Sequence, residues 1–243
     1  MEKKMNSGSS STKASAPEIS CSPSVSFLQA SVSFLQAFSV HLISALALAI
    51  ALLVVADNLC SVNLVSDPSH TLFLTWVVET PIVILVHSWF RLNPEQCSYL
   101  KGVGRGALAL PVGALVNALG AIVLGAPVGI QYLPKTINWS LLMSSFTFVP
   151  AACVFGSSWS HWQRIFAHSK PIGSLEYMIC IPAHGAVIAA WFGAWPMPLD
   201  WERPWQEWPI CVTYGAMTGY LVGMLVSLCF TLARGGRQHL KGD

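Results

Sequence analysis

FSVHLISALALAIALLVVA, from Phe38 to Ala56, contains no Asp, Glu, Lys or Arg. A helix needs about 20 mainly apolar residues to cross roughly 30 Å of hydrocarbon, and this run has that length. Five further segments qualify on the same ground: Thr71 to Phe90, Ala107 to Ile130, Asn138 to Ser157, Leu175 to Trp195, and Pro209 to Phe230. The second carries Glu79, Pro81 and His87 and is less apolar. The third is rich in helix-weakening residues (Pro111, Gly113, Gly120, Gly125, Pro127 and Gly129), which predicts a kinked or divided helix. The expected fold is an all-α membrane protein, a bundle of about six transmembrane helices.

Composition agrees. Of 243 residues, 53% are hydrophobic and only 10% charged, where a soluble domain carries about 25% charged residues. A net charge of +2 gives no nucleic-acid footprint. The cysteines are scattered, without the spacing of a metal site, and no cofactor motif is present.

Eleven of the thirteen Lys and Arg residues fall in the N-terminal segment, the second and fourth loops, and the C-terminal tail. Only Lys135 and Arg203 lie on the other side. The positive-inside rule then predicts that both termini are cytosolic, as an even number of spans requires. Residues 1–37 form an expected disordered, Ser-rich tail, within which SVSFLQA occurs twice in tandem, at Ser24–Ala30 and Ser31–Ala37. Residues 38–232 form the six-span domain and 233–243 a basic cytosolic tail.

Glu79, His87, Asn117 and His184 fall at membrane depth. A carboxylate at the centre of a span costs roughly 3 kcal/mol on insertion scales, so these residues are expected to face the bundle interior. They could line a substrate path or proton relay, or tie helices together by hydrogen bonds. Gly215, Gly219 and Gly223 repeat every fourth residue in the last span. They share one face, where another helix, internal or from a partner, can approach closely.

The loop between the last two spans reads WPMPLDWERPWQEWP from Trp195 to Pro209, with four Trp and four Pro in fifteen residues. Trp belongs at the membrane interface, and an interfacial belt is the plain reading. Yet Asp200, Glu202 and Arg203 are interleaved with Trp201, Trp205 and Trp208, and Arg203 could pair with a carboxylate or stack on an indole. That composition suits a rigid recognition surface, and the charge count places it on the lumenal side.

Pro198 to Pro209, the Gly-Ala-x-x-Gly-Tyr of Gly215 to Tyr220, and the Trp-x-Gly-Ala of Trp191 to Ala194 together resemble the C-terminal signature of the PIG-F family, the phosphatidylinositol-glycan biosynthesis class F proteins. The likeness is dense from about Glu176 to Leu225 and excludes the first 37 residues. It implies a multi-pass protein of the endoplasmic reticulum membrane. It further implies a non-catalytic subunit that binds and stabilises the large multispanning ethanolamine-phosphate transferases acting on the mannoses of the GPI precursor. Asp200, Trp201, Glu202, Arg203, Trp205 and Trp208 would then contact that partner or the glycolipid, with membrane lipids as further contacts.

The residues fit such a role. Transfer of ethanolamine phosphate needs an activated nucleophile and charge stabilisation at phosphorus, commonly from paired metals. The predicted lumenal loops offer Asp57, Asp67, His70, Asp200, Glu202 and Glu207, without an Asp/His constellation or nucleophile motif. Two other classes compete. A transporter or flippase would use Glu79, His87 and His184, with the third span as a discontinuous helix. A lipid-modifying enzyme would use His161 and His168 beside Arg164, although no carboxylate lies in that loop and a basic surface near anionic headgroups explains it. Asn138-Trp139-Ser140 is a glycosylation sequon close to the membrane on the predicted lumenal side.

Overall fold

The computed structural model describes residues 32–57, 64–92, 94–95 and 97–239. The predicted tail therefore lies, up to residue 31, outside the described residues, as do residues 240–243. Among the described residues eight α-helices follow in order: α1 (Phe34–Asp57), α2 (Pro68–Trp89), α3 (Tyr99–Val123), α4 (Leu133–Phe146), α5 (Phe148–Phe155), α6 (Trp159–Trp162), α7 (Ser174–Gly193) and α8 (Ile210–His239). A π-turn (Gln163–Ala167) continues α6, and a 3-10 turn (Pro204–Gln206) precedes α8.

Helices α1, α2, α3, α7 and α8 are each long and apolar enough to cross a membrane, and α4 with α5, bent by 41° at their junction, passes the same test when the two are taken together, which makes five to six spans. The side chains are sorted as a lipid solvent demands. Thr71, Thr75, Glu79 and His87 are buried, whereas Leu46, Ile50, Leu108 and Leu115 point outward. The protein is thus a multi-pass membrane protein.

The break falls in a different span from the predicted one. Helix α3 runs unbroken through Pro111, and the fourth span divides at Thr147. Pro150 has no N–H to offer the carbonyl of Phe146 one turn back. Thr147 instead turns its own N–H to Met143 O (3.1 Å) and Ser144 O (3.3 Å), and its hydroxyl donates to Met143 O at 2.7 Å.

Helix limits also differ from the hydropathy limits. Helix α3 begins at Tyr99, eight residues early, so Lys101 and Arg105 are helical rather than in a loop. It ends at Val123, leaving Gly125 (φ 103°) and Gly129 in the following turn. Helix α1 takes in the end of the second SVSFLQA copy, and α8 extends to His239 through most of the predicted tail. Hydropathy marks the lipid-facing part of a helix, whereas backbone hydrogen bonds carry the helix beyond it.

Successive spans alternate in direction. One end of the bundle, the basic end, gathers Arg91, Lys101, Arg105, Arg164 and Lys170. The other, the tryptophan-rich end, carries Lys135 and the 195–209 loop. Helix α2 is central, touching α1, α3, α4 and α5. The most extensive contact joins the antiparallel pair α7 and α8, and Phe146 stacks on Tyr220 at 4.2 Å between α4 and α8.

Candidate functional site

The loop from Trp195 to Pro209 is bound to the bundle at several points. Gln206, buried at the turn before α8, donates through Nε2 to Pro196 O (2.5 Å) and Leu199 O (2.7 Å). Its Oε1 accepts the N–H of Arg203 at 2.9 Å, and its own N–H returns to Arg203 O at 2.9 Å. One side chain therefore closes both halves of the loop. Trp208 turns inward, only 6% exposed, and its Nε1 donates to Thr136 Oγ1 at 3.0 Å while its ring lies 5.2 Å from that of Trp139. Lys135 of α4 pairs with Glu207 at 3.2 Å, and the Cys211 thiol donates to Trp205 O at 2.7 Å.

What this frame presents is Asp200, Trp201, Glu202, Arg203 and Trp205, all exposed, with Trp201 and Trp205 meeting edge-on at 6.0 Å. Glu202 holds a left-handed φ of 51°, a conformation that a non-glycine residue keeps only when its surroundings fix it. Two expectations change. Trp208 is an internal anchor rather than part of the surface, because its N–H finds a buried acceptor. Among the described residues Arg203 has no carboxylate within ion-pair distance and no aromatic ring beneath it. Its charge is left free on the surface. Gln206 was missed by sequence reasoning, since its partners are backbone carbonyls that no motif encodes.

Gly215, Gly219 and Gly223 are used internally. A side chain at Gly215 would strike Ala189 O, one at Gly219 would strike Gly185 O, and one at Gly223 would lie 2.7 Å from Pro182 Cα. Gly185 and Gly193 answer from α7, meeting Gly219 O and Cys211 O. The two helices touch backbone to backbone, so this face has no room for a partner.

The intramembrane polar residues separate. Asn117 donates to Gly113 O in its own helix (2.9 Å) and approaches Thr147 Oγ1 at the α4–α5 break (3.5 Å). His184 accepts or donates at Ser169 Oγ (3.2 Å) and bonds Cys180 O (2.8 Å), toward the basic end. His87 bonds Val83 O at 2.9 Å. Glu79 is fully buried, and neither carboxyl oxygen has a hydrogen-bond partner among the described residues. It lies within electrostatic range of Tyr220 of α8. His41 of α1, which the sequence reading passed over although it stands in the first apolar run, bonds Ser227 Oγ at 3.2 Å and lies within range of His87. The structure thus gathers Glu79, His87, His41 and Tyr220 between α1, α2 and α8, and leaves His184 and Asn117 outside that group.

At the basic end the loop with His161 and Arg164 is not without a carboxylate. Glu176, from the first turn of α7, accepts from His161 Nδ1 (2.8 Å), Arg164 (3.1 Å) and the N–H of Ile172 (2.8 Å). All its contacts hold the loop to the bundle. His168 is exposed and stands apart. Asn138, in the sequon, lies inside α4, donating to Ser69 O (3.1 Å) and accepting from Trp76 Nε1 (3.1 Å).

Residues 45–228 match the profile of a family described as GPI biosynthesis protein family Pig-F. The human and mouse proteins named "GPI ethanolamine phosphate transferase, stabilizing subunit" are each 39% identical to the chain over 106 residues, 44% of this chain and 48% of the relative. A fission yeast PIGF/3-ketodihydrosphingosine reductase fusion protein is 32% identical over 168 residues, 67% of this chain and 32% of its own. The glycosylphosphatidylinositol anchor biosynthesis protein 11 of Yarrowia lipolytica is 35% identical over 130 residues, 53% of this chain and 56% of its own. The chain spans about half the length of the mammalian relatives it matches. No solved structure matches it.

Proposed function

The chain belongs to the GPI biosynthesis protein family Pig-F, and from that premise we propose that it is a non-catalytic membrane subunit of GPI-anchor synthesis. In this reading it binds and stabilises an ethanolamine-phosphate transferase in the endoplasmic reticulum membrane, with both termini cytosolic. The observation that carries the reading is the likeness to stabilising subunits of that transferase, joined to the fixed surface of the 195–209 loop. Gln206, Trp208 and Lys135 hold the loop in place, so Asp200, Trp201, Glu202, Arg203 and Trp205 can meet a partner with little ordering cost.

Exposed Trp and an unpaired Arg are the residue types that dominate binding energy at interfaces. The two carboxylates and Arg203 serve a protein surface or the phosphate and amine groups of the glycolipid. Some polar side chains of the spans join helices, as Trp76–Asn138 and Thr80–Ser145 do.

The test is purification of the tagged chain in mild detergent with its transferase. Arg203→Ala with Trp205→Ala should lower the recovery of transferase without lowering the amount of this chain. Full retention of transferase by the double variant would remove the loop from the interface.

A second reading, a transport path, has Glu79 in its favour, because an unpartnered carboxyl inside a bundle is the usual mark of such a path. His184 is not beside Glu79, which shortens the path the sequence suggested.

A further inference from the structure

At the basic end a groove of about 450 Å³ lies between the start of α1 and the end of α2. Leu35 and Ile43 line it from α1, Leu85 and Trp89 from α2, and Gln36 and Ser39 are its polar members. Leu35 and Trp89 are 72% and 71% exposed, so the groove opens outward, toward lipid. The Ser39 hydroxyl is spent on Leu35 O at 2.8 Å. Gln36 Oε1 accepts the N–H of Ser33 at 3.0 Å, which leaves its Nε2 without an acceptor among the described residues.

An apolar groove alone is what lipid fills anywhere, and the distinction lies in what adjoins this one. Tyr99, the first residue of α3, donates its hydroxyl to Leu85 O (3.0 Å) and meets Trp89 edge-on at 6.3 Å, so it extends that wall. The Arg91 guanidinium lies over the Tyr99 ring at 5.9 Å. Its Nε donates to Cys97 O at 2.5 Å. Arg105, from the second turn of α3, donates through Nη1 to Cys97 Sγ at 3.3 Å and fills the room left by the missing side chain of Gly156. Two half-buried guanidiniums are thus fixed on one residue, Cys97, beside the groove. Backbone oxygen and sulfur take some of their N–H groups and neutralise neither charge. Among the described residues neither has a carboxylate within ion-pair distance, and Glu95, the only carboxylate in the 90–98 turn, is exposed. Like charges held side by side repel, and an anion between them offsets that.

We propose that groove and cation pair together bind one anionic glycerophospholipid of the leaflet at the basic end, with an acyl chain in the groove and the phosphate between Arg91 and Arg105. Guanidinium forks pair bidentately with phosphate oxygens, and Gln36 Nε2 suits an ester carbonyl of the lipid. Headgroup and chain are joined in one molecule, as the cations and the groove are joined through Tyr99 and Trp89. A zwitterionic lipid carries its own cation to the headgroup and gains less there. The inference needs only that the chain lies in a membrane, and it stands apart from the accessory-subunit reading.

The experiment places the full chain in phosphatidylcholine nanodiscs with a little phosphatidylinositol that carries a diazirine in one acyl chain. Photolysis and peptide mapping should put adducts at residues 35–43 and 85–90, well above those on the outward face of α3 at Leu108 and Leu115. Unlabelled phosphatidylserine should displace the groove adducts, and the same amount of added phosphatidylcholine should not. Arg91→Ala and Arg105→Ala should each weaken groove labelling about fivefold. Lys at either position keeps the charge and should lose less. If an Ala variant fails to fold, the competition on the unsubstituted chain decides by itself. Absence of adducts from the groove, even labelling of all outward faces, or equal displacement by phosphatidylcholine would overturn the site.

Discussion

Trp208 and Thr136 lie 72 positions apart and meet at 3.0 Å, indole N–H to hydroxyl, where the 195–209 loop enters α8 beside the start of α4. The bond fixes the loop to the bundle from inside. Trp201 and Trp205, three residues or more upstream, are left on the surface. One Trp-rich segment therefore contains both an anchor and a presented face, and substitution separates them. Trp208→Ala should destabilise the chain by about 3–5 kcal/mol, the range for emptying a buried aromatic site. Trp201→Ala should change stability by less than about 0.5 kcal/mol. Melting of each variant in detergent checks the pair, and equal effects would contradict the division.

Gly219→Ala puts a methyl group against Gly185 O and the Ala189 side chain. Both helices must move apart, and about 1–3 kcal/mol of stability should be lost, as for other overpacked sites. Unchanged melting of Gly219→Ala would mean that α7 and α8 are not in backbone contact.

Glu176 is 4% exposed and holds His161, Arg164 and Ile172. Glu176→Ala leaves the Arg164 guanidinium and the Ile172 N–H without their acceptor and should cost about 3 kcal/mol. The 156–173 segment should then open, and limited proteolysis with trypsin after Arg164 should speed up markedly. Cleavage at the wild-type rate would show that the loop is held by other contacts.

Glu79→Gln keeps the shape of the side chain at a site where neither oxygen has a hydrogen-bond partner among the described residues. As a packing residue it should tolerate the change within about 1 kcal/mol and still support GPI-anchor display in cells that depend on this protein. Loss of display with normal folding and normal transferase recovery would instead favour the transport reading.

Topology has its own test. A sequon engineered into the exposed part of the 156–173 loop should remain without glycan if the basic end is cytosolic. Asn138 should carry none in either orientation, because its side chain is bonded inside α4. A glycan on the engineered site would reverse the orientation.

The segments that span the bilayer could be read directly, because hydropathy over about 20 residues reports the one requirement lipid imposes on every crossing helix. The first apolar run was visible that way, while the density of Trp and Pro in 195–209 and the glycine face of the last span were visible from local composition and four-residue spacing. The likeness to one family rested on the same C-terminal residues. The limits of α3 were not visible, since a helix continues past the hydrocarbon wherever its hydrogen bonds hold.

The residue sequence by itself determined that the chain lies in a membrane, about how often it crosses, and which family it resembles. These follow from local composition and local order. Only the tertiary structure decided that Trp208 is internal while Trp201 and Trp205 are not, and that the break falls at Thr147 in the fourth span rather than in the third. It also decided that Gly219 is used within the bundle, and that Glu176 reaches a loop it does not belong to. Each of those depends on what a residue meets across the bundle, and the distance between partners in space is not contained in their separation along the chain.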